Sequence, residues 1–135
     1  MIKVSNKRPP EWILKKANEM FDVVFESGVV FTYDDEIFTY SGEISEDLYI
    51  HELHHCAQQY KYGSVEEWWK KYFDNVEFRL TQELECYRKQ YRWIKENLKN
   101  REEINRLLFH YAKCLSGKMY GNLITMNEAL KLIKQ

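Results

Sequence analysis

Apolar positions recur at helical spacing through most of this chain, and β-branched and aromatic residues cluster in only one short stretch. Pro9 and Pro10 open the first periodic segment, in which Trp12, Ile13, Ala17, Met20, Phe21 and Val24 gather on one helical face. Gly28 breaks it. Residues 29–33 and 37–40 are β-branched and aromatic with Asp34-Asp35-Glu36 between them, which predicts a short hairpin. Ser45, followed by Glu46 and Asp47, starts a helix of about 16 residues that Gly63 stops. Ser64-Val65-Glu66-Glu67 is a capping box ahead of Trp68, Trp69, Tyr72 and Phe73, aromatics read as core. A long helix is predicted over 75–98, another from Asn100 to Gly117, and a last one capped by Thr125 and Glu128 and ending near Ile133. The expectation is an α+β fold, mainly α, forming a single domain over residues 1–135.

Composition narrows the function classes. The 135 residues are 44% hydrophobic and 16% aromatic, enough for a real core. Net charge is −1 with no long basic run, so no nucleic-acid partner is expected. No apolar stretch approaches the roughly 18 residues of a membrane span, and no secretory signal is visible, so no membrane association is expected. Cys56, Cys86 and Cys114 are odd in number and widely spaced, which predicts reduced thiols in a cytoplasmic protein. Cys56, next to His55, and Cys86, near the acidic candidates of the long helix, read as small buried hydrophobes, with metal binding by either as the alternative.

The chemistry concentrates in His51-Glu52-Leu53-His54-His55, which satisfies H-E-x-x-H. On a helix, His51 and His55 lie about 40° apart around the axis, one turn up, and two imidazoles so placed can close on one metal ion. Glu52 lies about 100° further round, able to reach the water that the metal activates without itself ligating. A catalytic zinc takes three protein ligands, so a third must come from elsewhere. On the long helix, Leu80, Leu84, Tyr87, Tyr91, Ile94 and Leu98 form a stripe that should face the core. Glu83 falls roughly 55° from the stripe centre and Glu85 roughly 145° away, so Glu83 is the expected third ligand and Glu85 should point to solvent. Glu77, about 65° out, is the weaker alternative. Tyr87, one turn after Glu83, is placed either to hydrogen-bond a ligand histidine or to pack in the core. His54 is expected to pack or face water, or to orient a substrate.

His51-Glu52-x-x-His55 with Glu83-Leu84-Glu85-Cys86-Tyr87 resembles the gluzincin pattern, in which a downstream helix supplies the glutamate ligand. Glu83 falls on that ligand position, and Tyr87 stands where many members carry aspartate. Residues 50–60, the tryptophan pair, Phe78-Arg79-Leu80, Tyr87-Arg88 and the Leu115-Ser116-Gly117 to Tyr120-Gly121-Asn122 segment are also similar to a group of very small HExxH proteins, many of them encoded in bacteriophage genomes. The resemblance implies a minimal zincin core, a strand pair in a small antiparallel sheet beside two site helices. It implies a zinc metallopeptidase acting on a protein or peptide, in the host cytoplasm if the gene is a phage's. One Zn²⁺ would be held by His51, His55 and Glu83, with Glu52 as general base. Tyr120 and His110 are the candidate donors to the oxyanion. One hairpin strand is expected to run along the cleft and pair with an extended substrate. The alternative is a non-catalytic, zinc-stabilised binding or regulatory module, which a fourth ligand from His54 or Cys56 would favour.

Overall fold

The computed structural model describes residues 2–135. Its elements are β1 (Lys3–Ser5), α1 (Glu11–Phe21), β2 (Phe31–Tyr33), β3 (Glu36–Phe38), α2 (Glu46–Tyr62), α3 (Val65–Asp74), α4 (Val76–Asn97), α5 (Arg101–Leu115) and α6 (Met126–Lys134), with 3₁₀ turns at Phe25–Ser27 and Lys118–Tyr120. The fold is α+β and mainly α. Helix limits follow the caps: Ser64, Asn75, Asn100 and Thr125 each accept a hydrogen bond from a first-turn amide, and Thr125 with Glu128 closes a full capping box. α1 stops at Phe21, short of the predicted Val24, because Asp22 turns left-handed (φ 56°) and donates its N–H to the Asn18 carbonyl.

The sheet corrects an expectation. It has three strands in the order β1-β3-β2 and is mixed: β2 pairs antiparallel with β3, while β1 pairs parallel with it. A three-residue strand is too short to show a period of two, so Lys3–Ser5 left no readable pattern. The hairpin turn is the pair Asp34–Asp35, with Asp34 at φ 60°, a conformation aspartate tolerates. Gln59 on α2 fastens this hairpin: its Oε1 accepts the Asp34 N–H (2.8 Å) and its Nε2 donates to the Thr32 carbonyl (2.8 Å). Trp69 Nε1 donates to the same carbonyl at 2.9 Å.

Two apolar clusters flank the middle of the molecule. One joins Ile13, Leu14 and Ala17 of α1 to Phe25, Phe31, Phe38 and the α3 aromatics Trp68, Trp69, Tyr72 and Phe73. The other joins Ile94 to α5 and α6 through Leu108, Tyr111, Leu115, Ala129 and Ile133. Between them α2 lies against α4, and the buried residues there are polar as well as apolar: His51, Glu52, His55, Gln58 and Gln59 on α2, Arg79, Glu83 and Gln90 on α4.

Candidate metal centre

α2 presents His51, Glu52 and His55 at 4–6% exposure, and α4 meets them with Glu83 at 5%. Ser45 occupies the N-cap with extended backbone, although its hydroxyl makes no capping bond, and Gly63 ends the helix at φ 93°. Glu83 Oε1 lies 2.9 Å from His51 Nε2 and 3.3 Å from His55 Nε2. Its Oε2 accepts the Tyr72 hydroxyl at 2.5 Å. Glu52 stands to one side. Its Oε2 is 3.8 Å from His51 Nε2, and its Oε1 accepts the Thr32 hydroxyl of β2 at 2.8 Å.

The far nitrogens of both rings are held by glutamine carbonyls. Gln58 Oε1 is 2.8 Å from His55 Nδ1, and Gln90 Oε1 is 2.9 Å from His51 Nδ1. The amide orientations follow from what the nitrogens face: Gln58 Nε2 donates to the Gln82 carbonyl and Glu85 Oε1, and Gln90 Nε2 donates to Asp47 Oδ2. Each Nδ1 must therefore carry a proton, and the neutral tautomer leaves a lone pair on each Nε2. Two lone pairs then converge on a carboxylate oxygen in a buried site, acceptors facing an acceptor, and only a cation or added protons can reconcile them. The charge balance points the same way. Burial pushes Glu52 up, against the pull of His55 and His51. Burial also pushes Glu83 toward its neutral form, but the two imidazoles overcome this and hold it well below the carboxylate range. On His55 burial opposes charge, yet the Cys86 sulfur and the Glu83 carboxylate beside it raise it well above the ordinary histidine value. The donor set fits a divalent cation, whose entry would displace protons.

His51, His55 and Cys86 also form a buried group able to hold a metal ion. Cys86 Sγ is 3.3 Å from His55 Nδ1 and 3.6 Å from its Nε2. Lone pairs on the two ring nitrogens diverge, so a sulfur nearly equidistant from both lies on the axis of neither, and Glu83 Oε1 is the nearer partner of each Nε2. Burial pushes the Cys86 thiol up to about 12.

The other residues singled out by sequence distribute as follows. Glu77 is exposed and away from the imidazoles. Glu85 is exposed, as expected, and from there accepts from Gln58 Nε2 (2.9 Å) and meets His54 Nε2 at 3.1 Å, which also accounts for His54. Cys56 is buried outside the ligand group. Tyr87 packs its ring edge-to-face on His51, centroids 4.7 Å apart, and the hydrogen bond that was its alternative role comes from Gln90 instead. Tyr120 is buried with its hydroxyl toward Tyr72, and His110 is exposed; both line the cavity that leads to the site. That cavity, of about 480 Å³, is walled by Phe21, Val29, Trp69, Phe73 and Met119 among others. β2 is the sheet edge beside Glu52, but Gln59 and Trp69 already occupy the Thr32 carbonyl and Gln59 the Asp34 N–H, so a substrate strand cannot pair at those positions.

Sequence reasoning missed Thr32, Gln58, Tyr72 and Gln90. Gln58 lies three residues after its partner His55, and Gln90 seven after Glu83 on the same face of α4, so helical arithmetic could have found both. Thr32 and Tyr72 carry no such local signal.

Compared with protein-family models, with curated proteins and with solved structures, the chain matches none. Among the described residues no helix is long and apolar enough to cross a membrane.

Proposed function

We propose that this protein is a zinc-dependent peptidase in which His51 Nε2, His55 Nε2 and Glu83 hold the ion. The observation that carries the reading is the convergence of both Nε2 atoms on Glu83 Oε1, with both Nδ1 atoms committed to glutamine carbonyls. Zinc bound there supplies Lewis acidity and lowers the pKa of water toward about 7. Glu52, beside the ligand group and raised by burial, accepts a proton from the attacking water and passes it to the leaving amine. The Thr32 hydroxyl fixes one Glu52 oxygen and leaves the other for that exchange. Tyr120 and His110 are the donors lining the cavity that could meet a developing oxyanion. The aromatic and aliphatic walls favour a protein or peptide substrate with an apolar side chain next to the reacting bond.

The test is metal content together with Glu52→Gln. Purified protein should hold one zinc per chain and cleave peptides, and Glu52→Gln should keep the zinc while losing hydrolysis by ~10²–10⁴-fold. Undiminished cleavage in that variant removes Glu52 from the role.

A second reading, zinc as a purely structural staple in a binding or regulatory module, draws on the sulfur of Cys86 beside the imidazoles, where it could complete a closed four-ligand set. X-ray absorption of the zinc form separates the two readings. A shell of nitrogen and oxygen alone supports the peptidase, and a sulfur at about 2.3 Å supports the staple.

A further inference from the structure

We infer that Asp47, whose carboxylate hydrogen-bonds none of the proposed ligands, is a positioning residue that fixes the tautomer of His51 through Gln90. The inference rests on the metal reading above and extends it to a residue on the far side of the ligand. Asp47 lies one helical turn before His51 on α2. Its Oδ2 accepts Gln90 Nε2 at 2.7 Å and the Tyr111 hydroxyl at 2.6 Å. Gln90 and Tyr111 are 3% and 2% exposed, so water does not compete for these groups.

A glutamine amide has nearly the same shape in both of its flipped states but opposite hydrogen-bonding sense. Only the NH₂ end can face a carboxylate. Asp47 therefore forces the Gln90 carbonyl toward His51 Nδ1, Nδ1 must donate, and the Nε2 lone pair is left pointing at Glu83. Tyr111 steadies the carboxylate from α5. Three helices thus determine which nitrogen of one imidazole is available to an ion.

The His55 arm is an internal control. Its Gln58 comes from the same helix, and the amide nitrogen of Gln58 faces a backbone carbonyl, Gln82, as well as Glu85. A backbone carbonyl survives any side-chain substitution, so Glu85→Gln leaves the Gln58 orientation fixed. On the His51 arm the orientation depends on one removable carboxylate.

The experiment measures zinc affinity of the full chain by competition with a chromogenic chelator, with the thermal midpoint of each metal-free protein recorded alongside. Asp47→Asn should weaken affinity by ~10-fold or more, because either Gln90 orientation then finds a partner. Gln90→Glu should weaken it too, by setting two carboxylates against each other. The double variant Asp47→Asn/Gln90→Glu exchanges carboxylate and amide along the same path and keeps the net charge. The amide nitrogen then replaces the oxygen that accepted Tyr111, whose hydroxyl must accept there instead, so affinity should rise above that of either single variant without reaching the full wild-type value. Glu85→Gln should change affinity less than Asp47→Asn. A purely structural role would lower midpoints without restoring affinity in the double variant. Wild-type affinity in Asp47→Asn, or losses that simply accumulate in the double variant, overturns the assignment. A wild-type chain that takes up no zinc overturns the metal reading, and this inference with it.

Discussion

α4 meets different neighbours on its two sides. Toward α2 it sets Glu83, Cys86 and Gln90 in a buried layer where the polar groups answer one another: Glu83 to two imidazoles and Tyr72, Gln90 to His51 and Asp47. Toward α5 and α6 it sets Ile94 in a cluster with Leu108, Leu115, Ala129 and Ile133, flanked by Leu80, Leu84 and Tyr91. Removing water does opposite things on the two sides. Apolar groups gain from it in rough proportion to their area. Charged groups lose their hydration and recover it only through close, well-aimed partners. The contrast separates what makes the chain fold from what could hold an ion: the apolar side stabilises, and the polar side is a candidate site held in place by that stability.

Substitutions on the two sides should therefore behave differently. The largest effect is expected from Glu83→Leu. Zinc affinity should fall by well over the ~10–100-fold that loss of an outer hydrogen-bond partner costs. The two imidazoles can then shed their protons rather than stand as bare charges, but the buried Tyr72 hydroxyl loses its acceptor, so the metal-free protein should lose only the ~1–3 kcal/mol that one unsatisfied buried donor costs. A much larger loss of stability would show that the polar layer carries the fold after all. Leu115→Ala, at a position with 0% exposure, should do the reverse: a loss of ~2–5 kcal/mol in chemical denaturation with zinc affinity unchanged. Coupled changes in both measurements would join the two sides. Thr125→Ala opens the α6 capping box and should cost ~0.5–2 kcal/mol by the same assay, again leaving metal uptake alone.

The smallest effect concerns acid. Burial pushes the Asp47 carboxyl up, but hydrogen bonds from Tyr111 and Gln90 outweigh it and hold it below the ordinary 3.8. A depressed folded value gives stability that is present above the unfolded pKa and lost as pH falls through the folded one. Asp47→Asn should therefore flatten the decline of metal-free stability below about pH 4 and leave its slope near neutrality unchanged. An acid limb identical to wild type would mean that the carboxylate is not bonded in solution as it is here.

Local signals carried far in this chain. Capping residues placed most helix limits to within a residue or two, since a cap is a contact between a side chain and amides two or three residues on, and a sequence displays that directly. The i, i+4 histidine pair and the flanking Glu52 were legible for the same reason. The orientation of α4 was not. Its apolar stripe from Leu80 to Leu98 was expected to face inward, but the residues buried most deeply are Arg79, Glu83, Cys86, Gln90 and Ile94, a face about 80° round the axis. The stripe rule assumes that burial follows hydrophobicity, and a helix wedged between a polar site and an apolar cluster breaks that assumption.

By itself, then, the sequence determined the helices, their ends and the imidazole pair, because each of these is settled within one or two helical turns by spacing and capping. Only the tertiary structure decided that Glu83 faces both imidazoles, that glutamines rather than Tyr87 hold their far nitrogens, and that Lys3–Ser5 joins the hairpin as a parallel third strand. Those pairings join residues 28 to 39 positions apart in the site, and about 33 in the sheet, for all but the Gln58 contact. Such contacts depend on how whole helices rotate and pack, and no local pattern encodes that rotation when the buried face is itself polar.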